Sequence, residues 1–136
     1  MIDIVGRIRW IRDRANQIFD LVVAILTLTE TGGTITTTAA EQDVYINETP
    51  MGVFFPRKFQ IDLSNLAAAD TIRLRVYYRI NATGDKIKKD ERQFTGVQDP
   101  DLINIELEPN RFGIRVSIQR LAGADQDYDW SVFYGV

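Results

Sequence analysis

Apolar residues open the chain at Ile4, Ile8, Ile11, Ala15, Ile18, Val22 and Ile25, separated by steps of 4, 3, 4, 3, 4 and 3. That spacing is a heptad repeat, and it predicts an α-helix over residues 1–26 with one continuous apolar seam. At 1.5 Å per residue such a helix is a rod of roughly 37 Å. Ile8, Ala15 and Val22 take position a, and Ile4, Ile11, Ile18 and Ile25 take position d. β-Branched residues at d favour bundles of three or more helices, so these seven side chains are the expected oligomerisation residues of a trimer, with a pentamer as the alternative. The same stripe also fits a helix lying on its own β-layer. Arg7 and Arg14 flank the seam at g and Arg12 at e, with no acid at any e or g position. Together with Arg9 they set four cations against Asp13 alone, an anchoring plug suited to an acidic socket. Phe19 and Leu26 at e, with Leu21 and Leu28 at g, widen the apolar face towards the end of the helix. That end suits either a larger bundle or packing beneath the following domain.

From Ile25 onward the period becomes two. Strands are expected at 24–30, 34–38, 42–47, 53–63, 71–80, 86–94, 102–108, 112–120 and 127–135. The clearest places Ile72, Leu74, Val76, Tyr78 and Ile80 on one face and Arg73, Arg75, Tyr77 and Arg79 on the other. Ile103, Ile105 and Leu107, then Ile114, Val116 and Ile118, then Tyr128, Trp130, Val132 and Tyr134 alternate in the same way. One apolar and one polar face per strand predicts antiparallel sheets packed face to face. Turn chemistry punctuates the run: Gly32-Gly33 as a hairpin, Asn81 to Asp85, Pro109-Asn110, and Ala122-Gly123-Ala124. The expected fold is therefore mainly β, an antiparallel β-sandwich of about eight strands, jelly-roll-like, preceded by an N-terminal α-helix. Residues 1–26 form the helical oligomerisation and anchoring stem; residues 27–136 form the head.

Composition narrows the chemistry. A net charge of −3 argues against nucleic-acid binding, which needs a basic surface. The stretch Leu21 to Leu26 is far shorter than the roughly 20 residues of a membrane span. With no cysteine and no histidine, thiolate chemistry and imidazole acid–base or ligand chemistry are closed, leaving carboxylates. Asp125, Asp127 and Asp129 have the spacing of a calcium loop, but Trp130 stands where such a loop needs glycine and Val136 where it needs a bidentate glutamate. They read as a solvated turn. Asp99 and Asp101 with Glu106 or Glu108 could form the carboxyl pair of a glycosidase; Asp beside Pro is ordinary turn chemistry. Arg73, Arg75 and Arg79, with Lys86, Lys88 and Lys89, form a basic stripe that either meets an anionic surface or is matched by cross-strand acids such as Glu106 and Glu108. Tyr45, Phe54, Phe55 and Tyr77 are candidates for a sugar-stacking platform, against the usual burial of strand aromatics. Asn47 and Asn81 head N-x-T sequences. No catalytic, cofactor or metal site is expected, and the chain reads as non-enzymatic.

The whole layout, with stretches such as Thr27-Leu-Thr-Glu-Thr-Gly-Gly-Thr34, Gly96-Val-Gln-Asp-Pro-Asp101 and Pro109-Asn-Arg-Phe-Gly-Ile114, resembles small virion proteins of tailed or archaeal viruses, of the capsid decoration, turret or head-fibre type. The resemblance is one of role and architecture. It implies a homo-oligomer located in the virion, docked to other capsid proteins through its stem, with the head displayed outward. The alternative is a carbohydrate-binding β-sandwich module with glycans as partners.

Overall fold

The computed structural model of the chain describes residues 30–50 and 55–135. Eight strands fill them: β1 (Glu30–Thr36), β2 (Gln42–Asn47), β3 (Phe55–Asp62), β4 (Thr71–Arg79), β5 (Lys86–Thr95), β6 (Leu102–Glu106), β7 (Ile114–Ala122) and β8 (Asp127–Gly135). They form two four-stranded sheets, ordered β1-β8-β3-β6 and β2-β7-β4-β5. Every neighbouring pair is antiparallel. First pairs with last, second with seventh, third with sixth and fourth with fifth. That nesting is what a long hairpin produces when rolled into two sheets, the jelly-roll order. The predicted helix at 1–26, its seam residues and its arginines lie outside the described residues, as does the greater part of the first predicted strand.

Alternation builds the core. β4 switches between half-buried and buried at every residue, and Ile72, Leu74, Val76 and Tyr78 form its inner row. Ile114, Val116 and Ile118 of β7 join them, facing Phe59 and Ile61 of β3, Ile105 of β6, and Tyr128 and Val132 of β8. Each large aliphatic or aromatic side chain buried in this way contributes about 1.5–3 kcal/mol before ordering costs. Between the sheets Trp130 stacks on Phe59 at 6.2 Å and meets Tyr45 at 6.4 Å, while the Tyr45 and Tyr134 hydroxyls bond at 2.6 Å. Ile80, expected in the inner row, is 69% exposed, because β4 ends at Arg79 and the chain turns away.

A second expectation is corrected. Gly32-Gly33 is not a hairpin but the middle of β1, opposite Ser131 and Trp130. The two strands approach closely there: a Cβ on Gly32 would stand 2.6 Å from the Trp130 carbonyl oxygen. Glycine within a strand marks such an approach.

The ladder directions give the sandwich two distinct ends. At one, Glu30 lies opposite Phe133, Phe55 opposite Gly135, Asn47 opposite Ile114 and Arg79 opposite Lys86. The chain joins the sandwich here, and we term it the root. The other end, the tip, carries the connections at 37–41, 63–70, 96–101 and 123–126.

Candidate functional site

The outer face of the β2-β7-β4-β5 sheet carries a dense cluster of charged groups. Arg73, Arg75, Tyr77 and Arg79 project from β4, flanked by Glu91, Lys88 and Lys86 on β5 and by Arg115, Ser117 and Gln119 on β7. Glu41 sits at the centre. Its Oε1 accepts from the Tyr77 and Ser117 hydroxyls, each at 2.6 Å, and its Oε2 lies 3.4 Å from Arg75 Nη1. Burial works against the Glu41 carboxylate, but the hydrogen bonds from Ser117 and Tyr77, then the charge of Arg115 and the bond from Arg75, outweigh it. Its pKa falls to about 2. Arg75 Nε donates to Glu91 at 2.7 Å, a bond that leads in holding Glu91 below and Arg75 above their ordinary values. Burial and the Glu41 bond raise the Tyr77 hydroxyl, and Arg115 lies 4.9 Å over the Tyr77 ring.

The rest of the stripe is paired as well. Arg73 Nη2 donates to Gln119 at 2.7 Å and its Nε is 3.5 Å from Glu91. Arg79 lies 3.2 Å from Glu48, which also receives Lys86, the leading cause of its lowered pKa. Lys88 reaches Glu91, Lys89 reaches Glu108, and Arg115 holds Asp43. The basic stripe is thus matched by acids, but mostly not those expected. Glu106 belongs to β6 in the opposite sheet, and Glu108 meets only Lys89 of the stripe. The neighbour of β4 is β5, so Glu91 faces the arginines, and Glu41 and Glu48 reach them from either end of β2. The result is a cross-linked surface in which each of these cations meets an acid of the same chain and Glu91 serves three of them.

The other candidate groups are dispersed. Asp125 pairs with Arg120, Asp127 accepts from Thr36 Oγ1, and Asp129 accepts from Thr34 Oγ1 at 2.6 Å. Among the described residues no three potential ligand side chains converge on a metal position. Asp99 and Asp101 lie exposed at the tip, while Glu106 closes β6 at the root. Five strand residues separate Asp101 from Glu106, about 16 Å at 3.3 Å per residue, beyond the roughly 5–9.5 Å of a glycosidase pair. The four aromatics share no platform. Tyr45 is in the core, Tyr77 is on the outer face of the same sheet, Phe55 is on β3 of the other, and Phe54 lies outside the described residues. Asn47 is half-buried and bonds Tyr45 and Thr49 N, whereas Asn81 is exposed at the β4–β5 turn.

Asp70, like Glu41, Glu48 and Glu91, is a group that sequence reasoning missed. It is 2% exposed at the tip, where Oδ2 accepts from Ala67 N at 2.9 Å and Gln126 Nε2 at 3.3 Å, and Oδ1 from Ala124 N at 2.9 Å. The Ala67 and Ala124 backbone bonds, in that order, hold its pKa below the ordinary value. Gly123, at φ +82°, makes room, since a Cβ there would stand 2.1 Å from Asp70 Oδ1.

At the root two clefts share Pro109. One, of about 570 Å³, is lined by Phe55, Arg57, Lys58 and Glu106 to Pro109; the other, of about 180 Å³, by Arg79, Ile80 and Pro109 to Phe112. Arg57 lies over the Phe55 ring at 5.8 Å and Arg111 over Phe112 at 5.6 Å.

No family model matches the chain, and no curated protein matches it. Among solved structures it is similar to one described as the crystal structure of PirA, at 10% identity and a TM-score of 0.49, over 76% of this chain and 92% of that one. At that level the likeness says nothing of what either chain does. Among the described residues no helix is long and apolar enough to cross a membrane.

Proposed function

We propose that this chain is a non-enzymatic structural protein of a virus particle, an oligomeric decoration, spike or fibre component. Residues 1–26 bundle with sister copies through the seam from Ile4 to Ile25, and Arg7, Arg9, Arg12 and Arg14 seat the bundle in an acidic socket of the capsid. The β-sandwich is the displayed head. A trimer is the favoured assembly. One observation carries the reading: the head's most charged face has its cations paired with acids of the same chain, as suits a durable outer surface. Cross-linked charge of this kind resists rearrangement more than it attracts ligands.

The stem is tested by light scattering on the full chain. The wild type should run as a multimer, and Ile11→Asp with Ile18→Asp should give single chains with a folded head, since a charge in a three-helix seam has no partner. An unchanged multimer ends the stem reading. Antibodies to the head should label intact, purified particles of the source virus; labelling confined to unassembled protein ends the virion reading.

A further inference from the structure

Apolar side chains are exposed at both ends of the sandwich, Val97 at 76% on the tip among them, but the two clefts described above lie at the root, the end that the residues before Glu30 can reach. Besides these clefts, joined at Pro109, the root leaves Ile80 69% and Ile87 61% exposed. The chain joins the sandwich at this same end, through Glu30. The residues just before Glu30 are apolar beyond what a heptad seam uses. Phe19, Leu21, Leu26 and Leu28 add to Ile18, Val22 and Ile25, so apolar side chains occur at a, d, e and g. A seam covers the a and d stripe, while a segment apolar on most sides is one that is buried on most sides.

We infer that the segment Phe19–Leu28 of each chain seats on the root of its own sandwich, over Ile80, Ile87 and the clefts that meet at Pro109. Reach supports this occupant. Thr29 is the sole residue between Leu28 and Glu30, so the tether spans at most about 7 Å and starts the segment at the β1 edge of the root, three strands from β6. Ten residues measure about 15 Å as helix, and four strands about 14 Å across, so the segment can cross the root. So short a tether also gives the segment of the same chain a high effective concentration over that of a sister copy. The inference assigns Val22 and Ile25 to the root, which shortens the self-associating stem proposed above to the residues before Phe19; the multimer mass tests that stem and the cross-link tests the docking.

Hydrogen exchange on the full chain tests it, with Ile80→Asp/Ile87→Asp as the perturbation. Both positions are exposed, so the head should keep its strand protection. In the wild type the amides of residues 19–28 should be protected, and in the variant they should exchange about tenfold or more faster, with the multimer mass unchanged. Absent protection in the wild type, or protection that the variant leaves intact, overturns the inference. The chain has no cysteine, so Phe19→Cys/Ile80→Cys, which joins the far end of the crossing segment to the β4 end, treated with a short bismaleimide reports the occupant directly. A cross-link within one chain supports the inference; a two-chain product, or none, overturns it. A multimeric mass with failed cross-linking sinks the docking alone, and a monomeric mass with an intrachain cross-link sinks the stem alone.

Discussion

Glu41→Gln removes one charge from the centre of the outer network while keeping the side chain's shape. The amide oxygen can still accept from Tyr77 and Ser117, so the loss is mainly the attraction to Arg75 and Arg115. The wild-type carboxyl is shifted from its ordinary 4.5 to about 2. At 1.36 kcal/mol per unit, the full linkage is about 3.4 kcal/mol. Glu41 retains a quarter of its side-chain surface in contact with water, so screening reduces the expected effect to about 1–2 kcal/mol.

The sign follows from the direction of the shift. A carboxyl whose folded pKa is depressed contributes stability that is complete above its unfolded pKa and disappears as pH falls through its folded pKa. The difference between wild type and Glu41→Gln should therefore be constant near neutrality, shrink from about pH 4.5 downward, and be nearly gone at about pH 2. Glu48 and Asp70 are also held below their ordinary values, but neither pairs with Arg75 and both cancel in the difference, whereas Glu91 shares Arg75 with Glu41 and cancels only in part. Urea unfolding at a series of pH values gives the measurement. A difference that stays the same from pH 7 to pH 2.5, or no difference at pH 7, refutes the account of Glu41 as the keystone of the face.

Gly123→Ala should destabilise by about 1–3 kcal/mol, since it forces a left-handed φ on alanine and drives a Cβ into Asp70; a melting temperature within a degree of wild type would contradict this. Gly32→Val should loosen β1 by about 1–3 kcal/mol, read as faster exchange across Glu30–Thr36. Gly33→Ala places its Cβ at an ordinary 3.6 Å from the Trp130 ring and should be close to neutral. Equal effects at the two glycines would count against the close-approach explanation.

The strands were legible where one face is buried, because period two survives any choice of neighbours. β4, β7 and β8 show this, with Ile72, Val116 and Val132 buried where alternation placed them. What was not legible depends on which strand lies beside which. Gly32-Gly33 looks like a turn until the backbone of β8 is known to run against it. Glu106 looks like a partner for the arginine stripe until β6 is found in the other sheet. Glu41, Glu48 and Asp70 lie in connections, outside every periodic stretch, and their roles come from strands distant in sequence. No local pattern carries that information.

The same topology makes the molecule unequal along its length. At the tip all four connections are tied together. Thr37 exchanges bonds with Gln126, Asp70 bridges to Ala124 and Gln126, its carbonyl accepts from Gly96 N, and Leu63 N donates to the Asp101 carbonyl. Those bonds close an end whose loops would otherwise move independently. The root has bonds between its sheets too, from Glu108 N to the Tyr78 hydroxyl and between the Tyr45 and Tyr134 hydroxyls. Yet it keeps open clefts and exposed isoleucines at the end where the chain enters. A body with its connections bonded together at one end and clefts at the other is suited to being mounted by the cleft end, although Val97, Leu102 and Leu121 leave apolar surface at the tip as well. Its tip loops then need no partner for their order, whereas the root gains from whatever covers Ile80 and Ile87.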